Sequence, residues 1–300
     1  MHVIMQKLNP SEMEALEDAR YIRFQSKDAD VQDLERVVIN GKDASAALAF
    51  AVQIADSDTK ALEKVILQYG DATSAYWFAR GVLGANIKEL EKIVLSMKHD
   101  NLNTALSLIH DFALHVRGAD VLALGQVIVE HGTSLDKFKF AASISGADKH
   151  ALEESCIQAN DPSVAHLFAQ LEGANIEALK NLVIQHGTPL EAFQLADKIQ
   201  KQSDTSDLAK MIIEHDDDYH AYWFATKVKD SNMKELEQVV LGRCNAKNAY
   251  LFARDVDGSD IEALGRIVRE YGDDALKRSW DNDVVKMRDL DEELSPMMFG

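Results

Sequence analysis
The densest cluster of metal-ligating side chains is the run His215-Asp216-Asp217-Asp218-Tyr219-His220. Imidazole and carboxylate donors this close in sequence can share a divalent cation. His110 and His115 lie on one helical stretch and could approach a metal together, with no third ligand evident beside them. Cys156 and Cys244 have no histidine partner in register, so neither reads as an activated thiolate. No GxxxxGKS/T phosphate loop, GxGxxG turn, GxSxG elbow or HExxH pair occurs. Carboxylates are spread along the whole chain, which makes no single pair of them informative. The reading is a non-enzyme with no catalytic, cofactor-binding or metal-binding residue.

The elements that would position these groups come from an internal repeat. SAYWFARGVLGANIKELEKIVL at 74–95 returns as HAYWFATKVKDSNMKELEQVVL at 220–241 and as NAYLFARDVDGSDIEALGRIVR at 248–269. One leucine anchors each unit: Leu34, Leu62, Leu90, Leu124, Leu152, Leu179, Leu208, Leu236 and Leu264. The intervals are 28, 28, 34, 28, 27, 29, 28 and 28 residues. Each unit reads as two short helices. Ala75, Phe78, Ala79 and Val82 recur at i, i+3, i+4, i+7, and Ile87, Leu90, Val94 and Met97 stripe the second helix likewise. An alanine follows the Phe position in most units, which implies close backbone approach. The long interval adds residues around HDNLNTALSLIHDF and predicts a lengthened first helix there.

Punctuation follows the same register. Asp30, Asp58, Asn86, Asp120, Asp148, Asn175, Asp204, Asn232 and Asp260 precede the anchors by four residues and read as N-caps of the second helices. Glu89 and Glu235 are placed to complete capping boxes. Gly70, Gly132, Gly187, Gly272 and Asn160 stand eight residues after an anchor, where a helix end is expected to turn left-handed. Asp43, Asp71, Thr133, Asp161, Thr188, Asp217, Asn245 and Asp273 then read as caps of the next first helices. In this register Asp216 is a helix-end residue and Asp217 a cap, so the histidine-aspartate run is read as structural. His131, His186 and His215 share a position with Tyr69 and Tyr271, read as packing near a helix C-terminus. Cys156 takes the place of Val94, a buried small hydrophobe. Cys244 replaces a helix-end glycine nearer the surface.

The chain has 50 acidic and 32 basic residues among 300, a net charge of −18. Many of the aspartates fall at predicted caps, where negative charge also favours the helix dipole, so acidity alone says little about function. It does oppose direct nucleic-acid binding. No window of 18 apolar residues suggests a membrane span. No secretion signal is read at the N-terminus, and with only two cysteines a cytoplasmic location is expected. A unit this short cannot bury its apolar face alone. The expected fold is therefore all-α: a right-handed α-solenoid of about nine two-helix repeats, roughly 80 Å long at ~9 Å per packed helix. Residues 1–300 form one helical repeat domain in this reading, with an N-terminal capping helix at 9–24, repeats over 21–273 and a C-terminal cap and tail at 274–300.

With the units aligned, the phrase AYxFARxVxGADIxALExxVLxxGD emerges, clearest over Tyr76–Ala85 and Tyr250–Tyr271. It resembles a short helical repeat of uncharacterised phage and bacterial proteins, and more distantly the tetratricopeptide and HEAT superhelices. The period is shorter than in either, and the tetratricopeptide Trp-Leu-Gly-Tyr pattern is absent. The resemblance implies an all-α scaffold, often phage-encoded and then resident in the host cytoplasm, with no common activity to carry over.

Binding candidates are more tangible. Glu35, Glu63, Glu91, Glu153 and Glu237 follow the anchor by one residue, and Arg36, Lys64, Lys92, Lys210 and Arg266 by two. These stripes read as a solvated face exchanging ion pairs between neighbours, or else as a mixed-charge groove for a partner. Trp77 and Trp223 lie about 140° from the apolar face on a helical wheel. With Tyr76, Tyr222 and Arg80 they are the candidate partner-binding residues, since hot spots favour Trp, Tyr and Arg. The alternative is that each Trp packs over the edge of a neighbouring unit. The leading expectation is a partner-protein binder, and the phage resemblance implies an inhibitor of a host factor. Its alternatives are an acidic nucleic-acid mimic, for which residues 201–300 with 22 acidic against 14 basic are richest, and self-assembly through Trp280 or the C-terminal MMFG.

Overall fold
The computed structural model describes residues 10–25, 31–96, 102–228 and 232–285. Among these are nineteen α-helices and no strand. They divide into two compact units, Met1–Leu152 and Glu153–Gly300, with the boundary inside one helix.

In the first unit the first helices of successive repeats are α1 (Pro10–Gln25), α3 (Ala44–Gln53), α5 (Ala72–Gly81), α7 (Leu102–His115) and α9 (Ser134–Ser143). Alternating with them are the second helices α2 (Gln32–Gly41), α4 (Thr59–Tyr69), α6 (Ile87–Leu95) and α8 (Val121–His131), followed by α10 (Lys149–Gln158), which carries the boundary. The second unit opens with a 3-10 turn, Pro162–Val164, running into α11 (Ala165–Phe168), then α12 (Ile176–His186), α13 (Pro189–Ile199) and α14 (Ser206–Glu214). It continues through α15 (Asp218–Lys227), α16 (Met233–Arg243), α17 (Ala246–Asp255), α18 (Ile261–Tyr271) and α19 (Asp274–Trp280), which ends in a π-turn at Asp281–Val285. Within each unit a first helix packs on its own second helix and on the first helices before and after it. At 14 residues, α7 is the lengthened helix expected from the long interval.

A fixed row of side chains fills this interior. Phe50, Phe78, Phe140, Phe168, Leu195, Phe224 and Phe252 stand seven residues after their caps, Phe112 matches them in α7, and all are fully buried. Burying each stabilises the fold by roughly 1.5–3 kcal/mol. Every anchor leucine from Leu62 to Leu264 is buried as well. Trp280 stands seven residues after Asp273 and so takes the Phe place in α19, where it is 1% exposed. That corrects its reading as a cover for another molecule's end. The MMFG segment and the acidic tail lie outside the described residues.

All eight first-helix caps are observed. Asp43, Asp71, Asp161, Asp217, Asn245 and Asp273 accept first-turn backbone N–H bonds. Thr133 and Thr188 form capping boxes with Asp136 and Glu191. Of the second-helix caps, Asp58, Asp120, Asn175 and Asp260 bond to the residue three ahead, and Asp148 does the same to Ala151. Asp204 sits one residue early, because Thr205 is the cap of α14, and Asp30 lies outside the described residues. Asn86 and Asn232 hold cap positions without a side-chain cap bond. The capping boxes expected there do not form. Glu89 pairs with Lys92 at 2.6 Å, and Glu235 accepts from the Asn232 side chain at 2.9 Å.

The helix ends also depart from expectation. Gly70, Gly132, Gly187 and Gly272 are extended, with φ of −77°, −75°, −89° and −76°. A Cβ there would lie 2.4–2.6 Å from a helix carbonyl oxygen, which is why the position takes glycine. Residues with a Cβ escape that clash by turning left-handed: Lys42, Asn160, Asp216 and Cys244 hold the same position at φ of 52–59°. Asn160 thus behaves as expected and the glycines do not.

Candidate functional site
The glutamate stripe is not a solvated face. Glu35, Glu91, Glu153 and Glu237 are buried at 4–8% exposure. Each reaches from one second helix to the backbone N–H at the start of the next: Glu35 to Asp58 at 2.6 Å, Glu91 to Asp120 at 2.8 Å, Glu153 to Asn175 at 2.8 Å and Glu237 to Asp260 at 2.5 Å. Glu63 does the same for Asn86. The latch satisfies an N–H that a helix start otherwise leaves open. Burial raises the pKa of Glu35, Glu91 and Glu237, against the opposing pull of the bond they accept. Three members of the basic stripe pair within their own helices: Arg36 with Asp33, Lys92 with Glu89 and Lys210 with Asp207. These exposed i,i+3 pairs carry little stability.

The histidine-aspartate run is similarly occupied. His215 Nδ1 bonds to the Met211 carbonyl at 2.8 Å. Asp216 receives Arg243, whose Nε lies 2.9 Å from its carboxylate and 2.7 Å from its carbonyl. Asp217 caps α15 and holds His220 Nδ1 at 2.9 Å. Burial alone would raise the Asp217 pKa, but the His220 backbone and ring bonds outweigh it and hold it low. Asp218 accepts from Asn248 Nδ2 at 2.8 Å. His110 Nε2 meets Ser143 Oγ at 2.8 Å. Among the described residues no group of three or more His, Cys, Asp or Glu side chains is placed to hold a metal ion. His131 and His186 are exposed at the last helical turn, as are Tyr69 and Tyr271. That position faces solvent rather than packing, because the chain is already leaving the helix. Cys156 is buried, as its register implied, and Cys244 is partly exposed.

The five aromatic and basic candidates divide by burial. Trp77 is 40% exposed and Trp223 half-buried, while Tyr76 and Tyr222 are buried. A first helix is covered on more than the side facing its own second helix. The tyrosine position looks toward the next first helix, so Tyr76 lies 6.3 Å from Phe112 in α7 and Tyr222 reaches Asp255 in α17. Around Trp77 the exposed Arg80 completes a stack. Its guanidinium lies 5.2 Å from the Trp77 ring centroid and 5.9 Å from that of Tyr76, and Nη1 donates to the Tyr76 hydroxyl at 2.9 Å.

Around Trp223 the arrangement opens into a groove of about 570 Å³ between α15 and α17. Tyr219, Trp223 and Leu251 supply its apolar lining, and Asp218, Lys247 and Arg254 its charged edge. Tyr219 is 53% exposed and meets Trp223 edge-on at 6.3 Å and 71°. Beneath it runs a polar ladder. The Tyr222 hydroxyl donates to Asp255 at 2.6 Å, Arg254 grips Asp255 through Nε and Nη2 at 2.6 and 2.8 Å, and Tyr250 donates to Asp283 at 2.5 Å. Arg254 also sits over the Tyr250 ring at 5.3 Å. Burial and the Asp255 bond push the Tyr222 pKa up to about 12, and Arg254 holds the Asp255 carboxyl low. Tyr219 and, in the ladder, Tyr250, Arg254, Asp255 and Asp283 were not among the sequence candidates, whereas Tyr222 was. Tyr250 and Arg254 could have been found there, because they hold the repeat positions of Tyr76 and Arg80.

The site is thus a surface groove lined by aromatic, amide and charged side chains on an all-helical scaffold. No family model, curated protein or solved structure matches the chain. Among the described residues no helix is long and apolar enough to cross a membrane.

Proposed function
We propose that this chain is a non-enzymatic α-solenoid that binds a partner protein through its extended surface. The resemblance of its repeat phrase to phage repeats supports a more specific role, a phage-type inhibitor of a host factor acting in the host cytoplasm. One observation carries the binding reading. The latch glutamates, the cap residues and the His215–His220 run are engaged in holding the scaffold together, whereas Trp77, Trp223 and Tyr219 present aromatic surface outward on first helices. Trp and Tyr supply large contact area with few rotors to freeze, which suits a protein-binding hot spot.

The test is affinity capture from cell lysate with the protein and its Trp77→Ala/Trp223→Ala double variant, each at low and high salt. Capture lost in the variant and retained at high salt supports the reading. Capture that survives the substitutions but disappears at high salt favours an acidic mimic occupying a basic cleft. No captured protein with either form contradicts partner binding.

A further inference from the structure
The repeat supplies its own control for what the Trp223 groove accepts. Nine residues after the cap, α5 carries Arg80 and α17 carries Arg254. Both guanidiniums lie over aromatic rings of their own helix, Arg80 over Trp77 at 5.2 Å and Arg254 over Tyr250 at 5.3 Å. The same position in α15 is Thr226. Its hydroxyl turns back to the Tyr222 and Trp223 carbonyls at 3.1 and 3.0 Å. Among the described residues no Lys or Arg lies over the Trp223 ring. One Trp of the pair therefore has its cation built in, and the other lines the groove without one.

We propose that the Trp223 groove takes an arginine side chain of the partner, seated over the indole as Arg80 is seated over Trp77. The inference rests on the partner-binding reading above. A guanidinium stacks on Trp through the ring quadrupole and its flat, weakly hydrated faces. Tyr219, standing edge-on to Trp223, walls one side, and the Asp218 carboxylate lies at the rim. Two cations also line the groove. Arg254 is neutralised by its two bonds to Asp255, and Lys247 is exposed at the start of α17.

The probe is N-acetyl-arginine methylamide, titrated into 15N-labelled protein while the indole N–H signals of Trp77, Trp223 and Trp280 are followed. N-acetyl-norleucine methylamide serves as the uncharged control, and the Trp280 signal reports that the fold is intact. The expected result is a saturable shift at Trp223, at least fivefold larger than at Trp77 and absent with norleucine. Arg80→Ala should make Trp77 respond as Trp223 does, and Thr226→Arg should abolish the Trp223 response. Equal shifts with norleucine, or a Trp223 response unchanged by Thr226→Arg, would overturn the proposal. If Thr226→Arg disturbs Trp280, the Arg80→Ala arm decides, and a silent Trp77 there overturns it. Tryptophan-dependent capture without an arginine response removes the cation and leaves partner binding standing. An arginine response without tryptophan-dependent capture removes the partner reading instead.

Discussion

The indole of Trp280 occupies the space above Gly265 that any other residue would need for its side chain. A Cβ at Gly265 would lie 2.7 Å from the Trp280 ring. The two positions are matched, one enlarged where the row otherwise holds Phe or Leu and the other emptied. Gly265→Ala should destabilise the protein by about 1–3 kcal/mol through overpacking. In a Trp280→Phe background the same substitution should cost less than about 1 kcal/mol, because the smaller ring leaves room. Urea unfolding of the four proteins in this cycle measures the coupling, and strictly additive effects would contradict the contact.

The Glu91 latch gives a prediction with a pH sign. Glu91→Ala leaves the Asp120 N–H without its acceptor and should cost about 1–3 kcal/mol. Glu91→Gln keeps an acceptor without the buried charge and should be neutral or stabilising at pH 7. Burial raises the folded pKa above the ordinary 4.5, with the Asp120 N–H bond opposing it and the Asp120 charge adding to it. A carboxyl raised in this way contributes stability that is fully present below its unfolded pKa and lost as pH rises through its folded pKa. The wild type should therefore gain on Glu91→Gln as pH falls from 7 toward 4.5. Unfolding curves at several pH values read this directly, and a gap that is constant with pH would refute it.

Helix ends offer a pair of opposite substitutions. Cys244→Gly relieves a left-handed residue at φ 53° and should stabilise by about 1 kcal/mol. Gly70→Ala places a methyl against the Ile66 carbonyl and forces the chain into the left-handed turn, at a similar cost of about 1–2 kcal/mol. Thermal unfolding should move the two melting temperatures in opposite directions. Shifts of the same sign would show that the two conformations are not alternatives at one site.

Tyr222 should titrate late. Its pKa, pushed up to about 12 by burial and by Asp255, lies above the ordinary 10, so its contribution to stability holds below pH 10 and is lost as pH rises through 12. Ultraviolet titration of the protein against Tyr222→Phe should assign one high-pH phenol transition to this residue. A difference spectrum centred near pH 10 would contradict the buried bond to Asp255.

Much of the helical plan was legible because capping and apolar spacing act locally. A carboxylate at Asp71 or Asp273 finds N–H groups a few residues ahead whatever surrounds it, and Phe78 or Phe252 shares a face with its neighbours by helical geometry alone. What escaped depends on contacts between repeats. The glutamate at position 91 reads as a surface residue on its own helix, since the N–H it binds belongs to Asp120. Tyr76 and Tyr222 read as companions of the tryptophans, because a single helix does not reveal that the next first helix covers them. The helix-end glycines were misread for a similar reason. Gly70 and Cys244 occupy one position but reach different backbone conformations, which only a carbonyl at a known distance distinguishes.

The central claim is that the outward aromatics form a protein-binding surface. Its most direct test is the equilibrium affinity of a captured partner for the wild type and for Trp77→Ala/Trp223→Ala, with unfolding curves confirming that both are folded. The account predicts binding at least about 30-fold weaker in the variant, a loss of about 2 kcal/mol, as expected for a tryptophan hot spot. An affinity unchanged within about twofold, a difference smaller than one such contact, would contradict it.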